Sequence, residues 1–180
     1  MANGTLKVEN IQTSSGSGTI TLGQSGETIT IPTGTTVSGA MSNTPAFQAS
    51  LSTQTDLADA TTTDVLFDNV ALDTHNFYDS STGRFTPTVP GWYKFSTNIL
   101  FSCSVSFDLR RVIVFMGSLQ HDVNPDQEVT RFSITLSNIV YMNGSTNYMN
   151  IRAYQQVVAG ATPRLEANDC TFCGHKIIGA

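Results

Sequence analysis

The chain has 180 residues, a formal net charge of −5, nine Lys and Arg and three Cys. That length holds one ordinary domain plus an extension, and such a domain buries roughly 70% of its unfolded surface, so a core can form without disulfides. Three Lys and six Arg leave no basic stripe for nucleic acid and no polybasic segment for anionic lipid, which excludes both as partners.

Residues 1–20 show no charged region followed by an apolar run, and nowhere do about 20 apolar residues follow one another. This predicts a chain made and folded in a cytosol, with no membrane insertion. Cys103, Cys170 and Cys173 are an odd number that cannot all pair within one chain, which fits a reducing compartment and buried thiols.

Composition divides the chain near Met41. Residues 1–41 hold 21 Thr, Ser or Gly, one basic residue (Lys7) and no aromatic, whereas all sixteen Phe, Tyr and Trp residues lie from Phe47 onward. We expect two modules, a β-repeat stem over 1–41 and a head over 42–180. In the stem, "GTITLGQS", "GETITIPT" and "GTTVSGAM" begin at Gly18, Gly26 and Gly34. This eight-residue period predicts short alternating strands separated by turns, with Ile20, Leu22, Ile29, Ile31 and Val37 on one face. So little apolar surface makes no core alone, so the row must meet copies of itself or another protein. A disordered polar tail is the alternative.

The head alternates at period two. Tyr93, Phe95, Ile99 and Phe101 fall on one face with Lys94, Ser96 and Asn98 on the other; Phe132, Ile134 and Leu136 alternate with Ser133, Thr135 and Ser137. "RRVIVFMG" from Arg110 is dense enough for a central strand, "YMNGSTNYMNIRAY" around Asn143-Gly144 predicts a hairpin, and "FCGHKII" one last strand. No long segment has a helical period, and the β-branched content disfavours helix. The fold class is all-β, a sandwich.

Catalytic and metal motifs are weak. Gly23-Gln24-Ser25-Gly26 lacks the nucleophile-elbow spacing. Cys170 and Cys173 form a single C-x-x-C pair with only His175 near, and on a strand they point to opposite faces, so packing is the favoured reading over redox or metal. His75 and His121 lie in turn-rich stretches and read as surface loops. Asp122, Asp126 and Glu128 in "HDVNPDQE" are hard ligands suited to calcium, but a solvated acidic loop is favoured. No paired carboxylates suggest a glycan hydrolase. No catalytic residue, cofactor or metal ligand is assigned.

Between Phe67 and Phe95 the spacing runs Phe67, Asp73, Tyr78, Phe85, Gly91, Tyr93, Phe95, with "DSSTG" before Phe85 and "PTVPG" before Trp92. This resembles the signature of the complement C1q globular head, a jelly roll shared with tumour necrosis factor; only the final aromatic departs, being Thr97. "VYMNGSTNYMNIRAY" (140–154) is similar to that family's turn between two late strands, and Phe172, Gly174 and Ile177 to its closing strand. The resemblance spans about 45–180. It implies a homotrimeric jelly roll in which Gly91 and the prolines lead the chain into a long strand. The packing residues would be Phe67, Tyr78, Phe85, Tyr93, Phe95 and Phe172, with Phe85, Tyr93 and Phe95 equally suited to a monomer core and a trimer axis.

Residues 6–39 resemble the amino-terminal segment of virion structural proteins of tailed phages, notably those of marine cyanobacteria. We therefore expect a non-enzymatic trimeric virion surface protein assembled in a host cytoplasm. Its stem residues Ile20, Leu22, Ile29 and Ile31 would contact other virion proteins. The favoured role is a short fibre or tail appendage whose head contacts a host cell-surface glycan or protein. The alternative is a capsid decoration protein at three-fold positions; the shortness of the stem speaks for decoration or a stubby appendage over a long fibre.

Overall fold

The computed structural model describes residues 9, 11, 19–35, 45–103, 109–124, 131–158 and 160–177. The chain divides into two units, Met1–Val37 and Ser38–Ala180. Among the described residues there is no helix.

In the first unit, residues 19–35 carry turns and no strand. The N–H of Glu27 donates to Gln24 O at 3.0 Å and that of Thr35 to Pro32 O at 3.2 Å. Gly26 and Gly34, one repeat apart, share φ near +90° (90° and 91°). The turn half of the eight-residue period is present; the expected strands at Ile20–Leu22 and Ile29–Ile31 are not. A strand needs a partner for its backbone groups, and alternation alone does not provide one. Val37 lies outside the described residues.

The second unit is a β-sandwich whose strands are β1 (Ala46–Ser50), β2 (Thr55–Asp56), β3 (Thr63–Asp64), β4 (Asn69–Asp73), β5 (Tyr78–Asp79), β6 (Arg84–Phe85) and β7 (Gly91–Cys103), then β8 (Leu109–Met116), β9 (Leu119–Val123), β10 (Arg131–Met142), β11 (Ile151–Val157), β12 (Pro163–Leu165) and β13 (Thr171–Lys176). Seven form one sheet organised around β7, which pairs along its length with β10 on one side and with β13, then β12, on the other. β1 and β4 extend the sheet beyond β13, and β2 extends it beyond β12. The second sheet runs β3-β11-β8-β9. β5 and β6 form a small hairpin of their own.

Alternation along β7 puts Tyr93, Phe95, Thr97, Ile99 and Phe101 inside, while β11 contributes Ile151, Ala153, Gln155 and Val157 from the facing sheet. β8 is interior in its sheet, and Val112, Ile113, Val114 and Met116 are all buried, as its dense apolar run predicts. Gln155 ties the sheets together: its Nε2 donates to Ser102 O, and its Oε1 accepts the N–H of Arg164 at 3.2 Å.

The segment around Asn143-Gly144 is not a hairpin. β10 pairs with β7 in one sheet and β11 with β8 in the other, so residues 143–150 carry the chain across the sandwich. Asn143 builds the turn through its side chain, whose Oδ1 accepts the N–H of Ser145, Thr146 and Asn147, each at 3.0 Å. The turn is compatible with a hairpin; the pairing of its flanking strands with β7 and β8 makes it a crossing instead.

Candidate functional site

The signature residues each have a structural task. Asp73 closes the turn between β4 and β5: Oδ1 accepts from the N–H of His75 (3.3 Å) and Phe77 (3.2 Å), and Oδ2 from that of Tyr78 (2.8 Å). The Tyr78 hydroxyl accepts the N–H of Phe67 and donates to its carbonyl, both at 3.2 Å, and burial pushes its pKa well above the phenol range. The Tyr93 hydroxyl donates to Val89 O at 2.8 Å, pinning the "PTVPG" turn, with its pKa raised by burial to about 12. Gly91 follows at φ 147°, and a Cβ there would lie 2.7 Å from Lys176 Cε. Thr97, in place of the last aromatic, is buried and donates its hydroxyl to Thr171 O at 2.7 Å.

Phe67, Phe85, Tyr93, Phe95 and Phe172 are 0% exposed and Tyr78 is 8% exposed within a single chain. Phe47 sits at their centre, stacked on Phe85 (4.4 Å, 17°) and edge-on to Phe172 (4.8 Å, 78°). Rings so enclosed have no surface left for a second copy, so Phe85, Tyr93 and Phe95 belong to the core of one chain. Gly174 makes room for them: a Cβ there would meet Phe95 Cδ1 at 2.5 Å and Phe47 Cε1 at 2.9 Å.

Ile20, Leu22, Ile29 and Ile31 are 43%, 60%, 61% and 46% exposed. Cys170 faces the core with its pKa pushed up to about 11 by burial, whereas Cys173 lies on the other face of β13 and is half-buried, its pKa also raised by burial. Two expectations need correction. His121 and Asp122 are not in a loop but on β9, opposite Val114 and Ile113. Asp122 is engaged by Arg111 (Nε to Oδ1 3.0 Å), which holds its pKa below the usual carboxylate range; β-pairing places the two side chains together. Asp126 and Glu128 lie outside the described residues. His75 is exposed in the turn after β4. Among the described residues no three His, Cys, Asp or Glu side chains converge as a metal site.

Among the described residues of the head, two outer surfaces bear on function. On the outward face of β7 and β10, Trp92 (42% exposed) and Tyr141 (51%) are cross-strand partners in edge contact at 5.7 Å, with Ile139 (54%) one alternate position away. The alternation of β7 carries the signal for this position: Trp92 shares the outward parity of Lys94 and Ser96. The second surface is a groove of about 570 Å³ beside the β5–β6 hairpin, lined by Thr62, Thr63, Asp64, Leu66, Ser81, Thr82 and Arg84. Next to it, sharing Thr63, Asp64 and Leu66, is an apolar hollow of about 370 Å³ among Leu51, Leu57, Val65 and Leu165.

This arrangement of two antiparallel sheets around an aromatic core defines a jelly-roll β-sandwich module. The C1q domain matches residues 46–175, more than half of the chain, and the chain belongs to that family. The family consists of non-enzymatic binding or signalling domains. Among solved structures, the globular domain of zebrafish complement 1qA is 16% identical, covering 74% of this chain and 98% of its own, with a TM-score of 0.47. Murine APRIL at pH 8.0 is 13% identical, covering 73% and 98%, with a TM-score of 0.47. No curated protein sequence matches the chain.

Proposed function

We propose that the chain is a non-enzymatic homotrimeric surface protein of a tailed-phage virion, a short fibre or tail appendage. Residues 1–41 act as its stem and the C1q-like head contacts the host surface. The observation that carries the reading is a contrast. The head encloses its signature aromatics within one chain, yet Ile20, Leu22, Ile29 and Ile31, and separately Trp92, Ile139 and Tyr141, stay exposed. Large apolar side chains grouped on a surface mark contact with another protein. The first group serves docking onto other virion proteins, in keeping with the resemblance of residues 6–39 to phage virion segments. The second serves contact between copies of the head, and three copies convert weak contacts to a host surface into avidity. The reading needs no cofactor.

The test is to label intact virions with a gold-tagged antibody against the head. Label at the tail supports the appendage. Label spread over the capsid replaces it with a decoration protein that stabilises the shell, and unlabelled virions refute both.

A further inference from the structure

We propose that the groove beside the β5–β6 hairpin is a binding site for a neutral oligosaccharide, recognised through vicinal hydroxyls by Asp64 and Arg84. This deepens the host-contact reading above and rests on it for its biological sense.

Local contacts shape the groove. The hairpin turn is tied by Asp79, whose carboxylate accepts the hydroxyls of Ser81 (2.6 Å) and Thr82 (2.9 Å). Gly83, at φ 68°, lets that turn sit directly on the neighbouring backbone, since a Cβ there would be 2.7 Å from Val65 O. Phe85 bridges to Met149 from below, and Val65 N–H donates to Ile151 O at 2.9 Å. At about 570 Å³ the groove falls in the range of small-ligand sites.

Its polar groups are only half used. Asp64 Oδ1 accepts from Asn150 Nδ2 at 2.8 Å, and Oδ2 has no partner among the described residues. Across β3 and β11 from it, Arg152 is turned away, over the Phe115 ring at 4.9 Å and toward Gly117 O at 3.4 Å. The Arg84 guanidinium rests 4.2 Å over the Tyr148 ring and pairs with no carboxylate among the described residues. An acceptor and a forked donor thus border one hollow without an ion pair between them. Neighbouring sugar hydroxyls satisfy both at once, one donating to Asp64 Oδ2 and the next accepting from Arg84. The hydroxyls of Thr62 and Thr63 make no hydrogen bond among the described residues, and exposed Leu66 offers an apolar patch to a sugar C–H face. Asp64 and Asp79 outnumber Arg84 locally, and the chain carries −5, so an acidic sugar is disfavoured.

The experiment is an NMR titration of the full chain with maltotriose, mannotriose and galactotriose, and with trigalacturonate as the acidic comparison. The expected result is that at least one neutral trisaccharide shifts the amides of residues 62–66 and 81–84 and the Arg84 side-chain N–H. Asp64→Asn and Arg84→Ala should each weaken that binding by about tenfold, with thermal midpoint and mass unchanged. Should either variant be misfolded, Thr62→Tyr, which fills the groove from an exposed position, should abolish the shifts. No shift with any neutral trisaccharide, shifts with trigalacturonate alone, or shifts elsewhere overturn the inference. The outcome is independent of virion labelling: sugar binding by a capsid-located protein would refute the appendage and keep the site, and a tail-located protein that ignores all three sugars would do the reverse.

Discussion

The Ser102 hydroxyl is buried and has no hydrogen-bond partner among the described residues, although the carbonyl of the same residue accepts from Gln155. A hydroxyl taken out of water without a replacement bond costs on the order of 1 kcal/mol or more. Ser102→Ala removes that penalty and leaves the Gln155 contact intact. Its thermal midpoint should match or exceed the wild type, by up to about 4 °C for a chain this long; a clear drop would show that the hydroxyl has a partner after all. Cys170 makes a second prediction. Burial raises its pKa from 9.0 to about 11, so the folded state holds the proton more tightly than the unfolded one. Its contribution to stability is complete below pH 9 and is lost as pH rises through about 11. Tyr78 and Tyr93, also raised by burial, add a fall of the same sign at higher pH, so the comparison must be with Cys170→Val. Denaturant melts of that variant should decline less steeply across the window; parallel slopes would refute the assignment.

Strands are where local pattern and distant pairing separate. Gly174 on β13 and Gly91 at the start of β7 are both crowded, but by different neighbours: the rings of Phe95 and Phe47 for Gly174, the end of the Lys176 side chain for Gly91. Enclosed rings cannot give way and a lysine tip can. Gly174→Ala should therefore cost about 1–3 kcal/mol through overpacking, and Gly91→Ala about 1 kcal/mol, mainly for holding a side chain at positive φ. Thermal melts giving the reverse order would sink that account. The same division explains what was legible beforehand. Alternation is local, so the inward set Tyr93, Phe95, Ile99 and Phe101 and the buried run at Val112–Val114 could be read directly. Whether β10 turns back onto β11 or crosses the sandwich depends on β7 and β8, tens of residues away, and Asn143-Gly144 announces a turn without saying between which sheets. The Ile20–Ile31 repeat shows the same limit: its turns form from nearby atoms, whereas residues 19–35 carry no strand. The groove was hidden for this reason too, since Asp64 and Arg84 come to line one hollow through the close approach of Gly83 to Val65.

For the protein as a whole, the proposed trimer requires one face of the head to meet another copy. The enclosed core leaves Trp92, Ile139 and Tyr141 as the large side chains clustered on the outward face of β7 and β10. Farther along that face Ser133 and Thr135 donate to Asn98 Oδ1 at 2.7 and 2.8 Å, so those hydroxyls can be covered without being stranded, while Lys94, opposite Ile139, keeps its ammonium at the edge of the patch in water. Aromatic anchors with a polar rim suit a contact repeated by rotation between identical chains. In a trimer each substitution is tripled, so two glutamates per chain place six carboxylates at the contact, where burial of unpaired charge is strongly unfavourable. Ile139→Glu combined with Tyr141→Glu should therefore convert the protein from three times 19.4 kDa to a single 19.4 kDa chain in light scattering, with far-ultraviolet circular dichroism unchanged. Leu119→Glu, on β9 of the opposite sheet, should leave the mass at three chains. A double variant that keeps the threefold mass would move the contact off this face, and a wild type that is already a single chain would remove the trimer from the proposal.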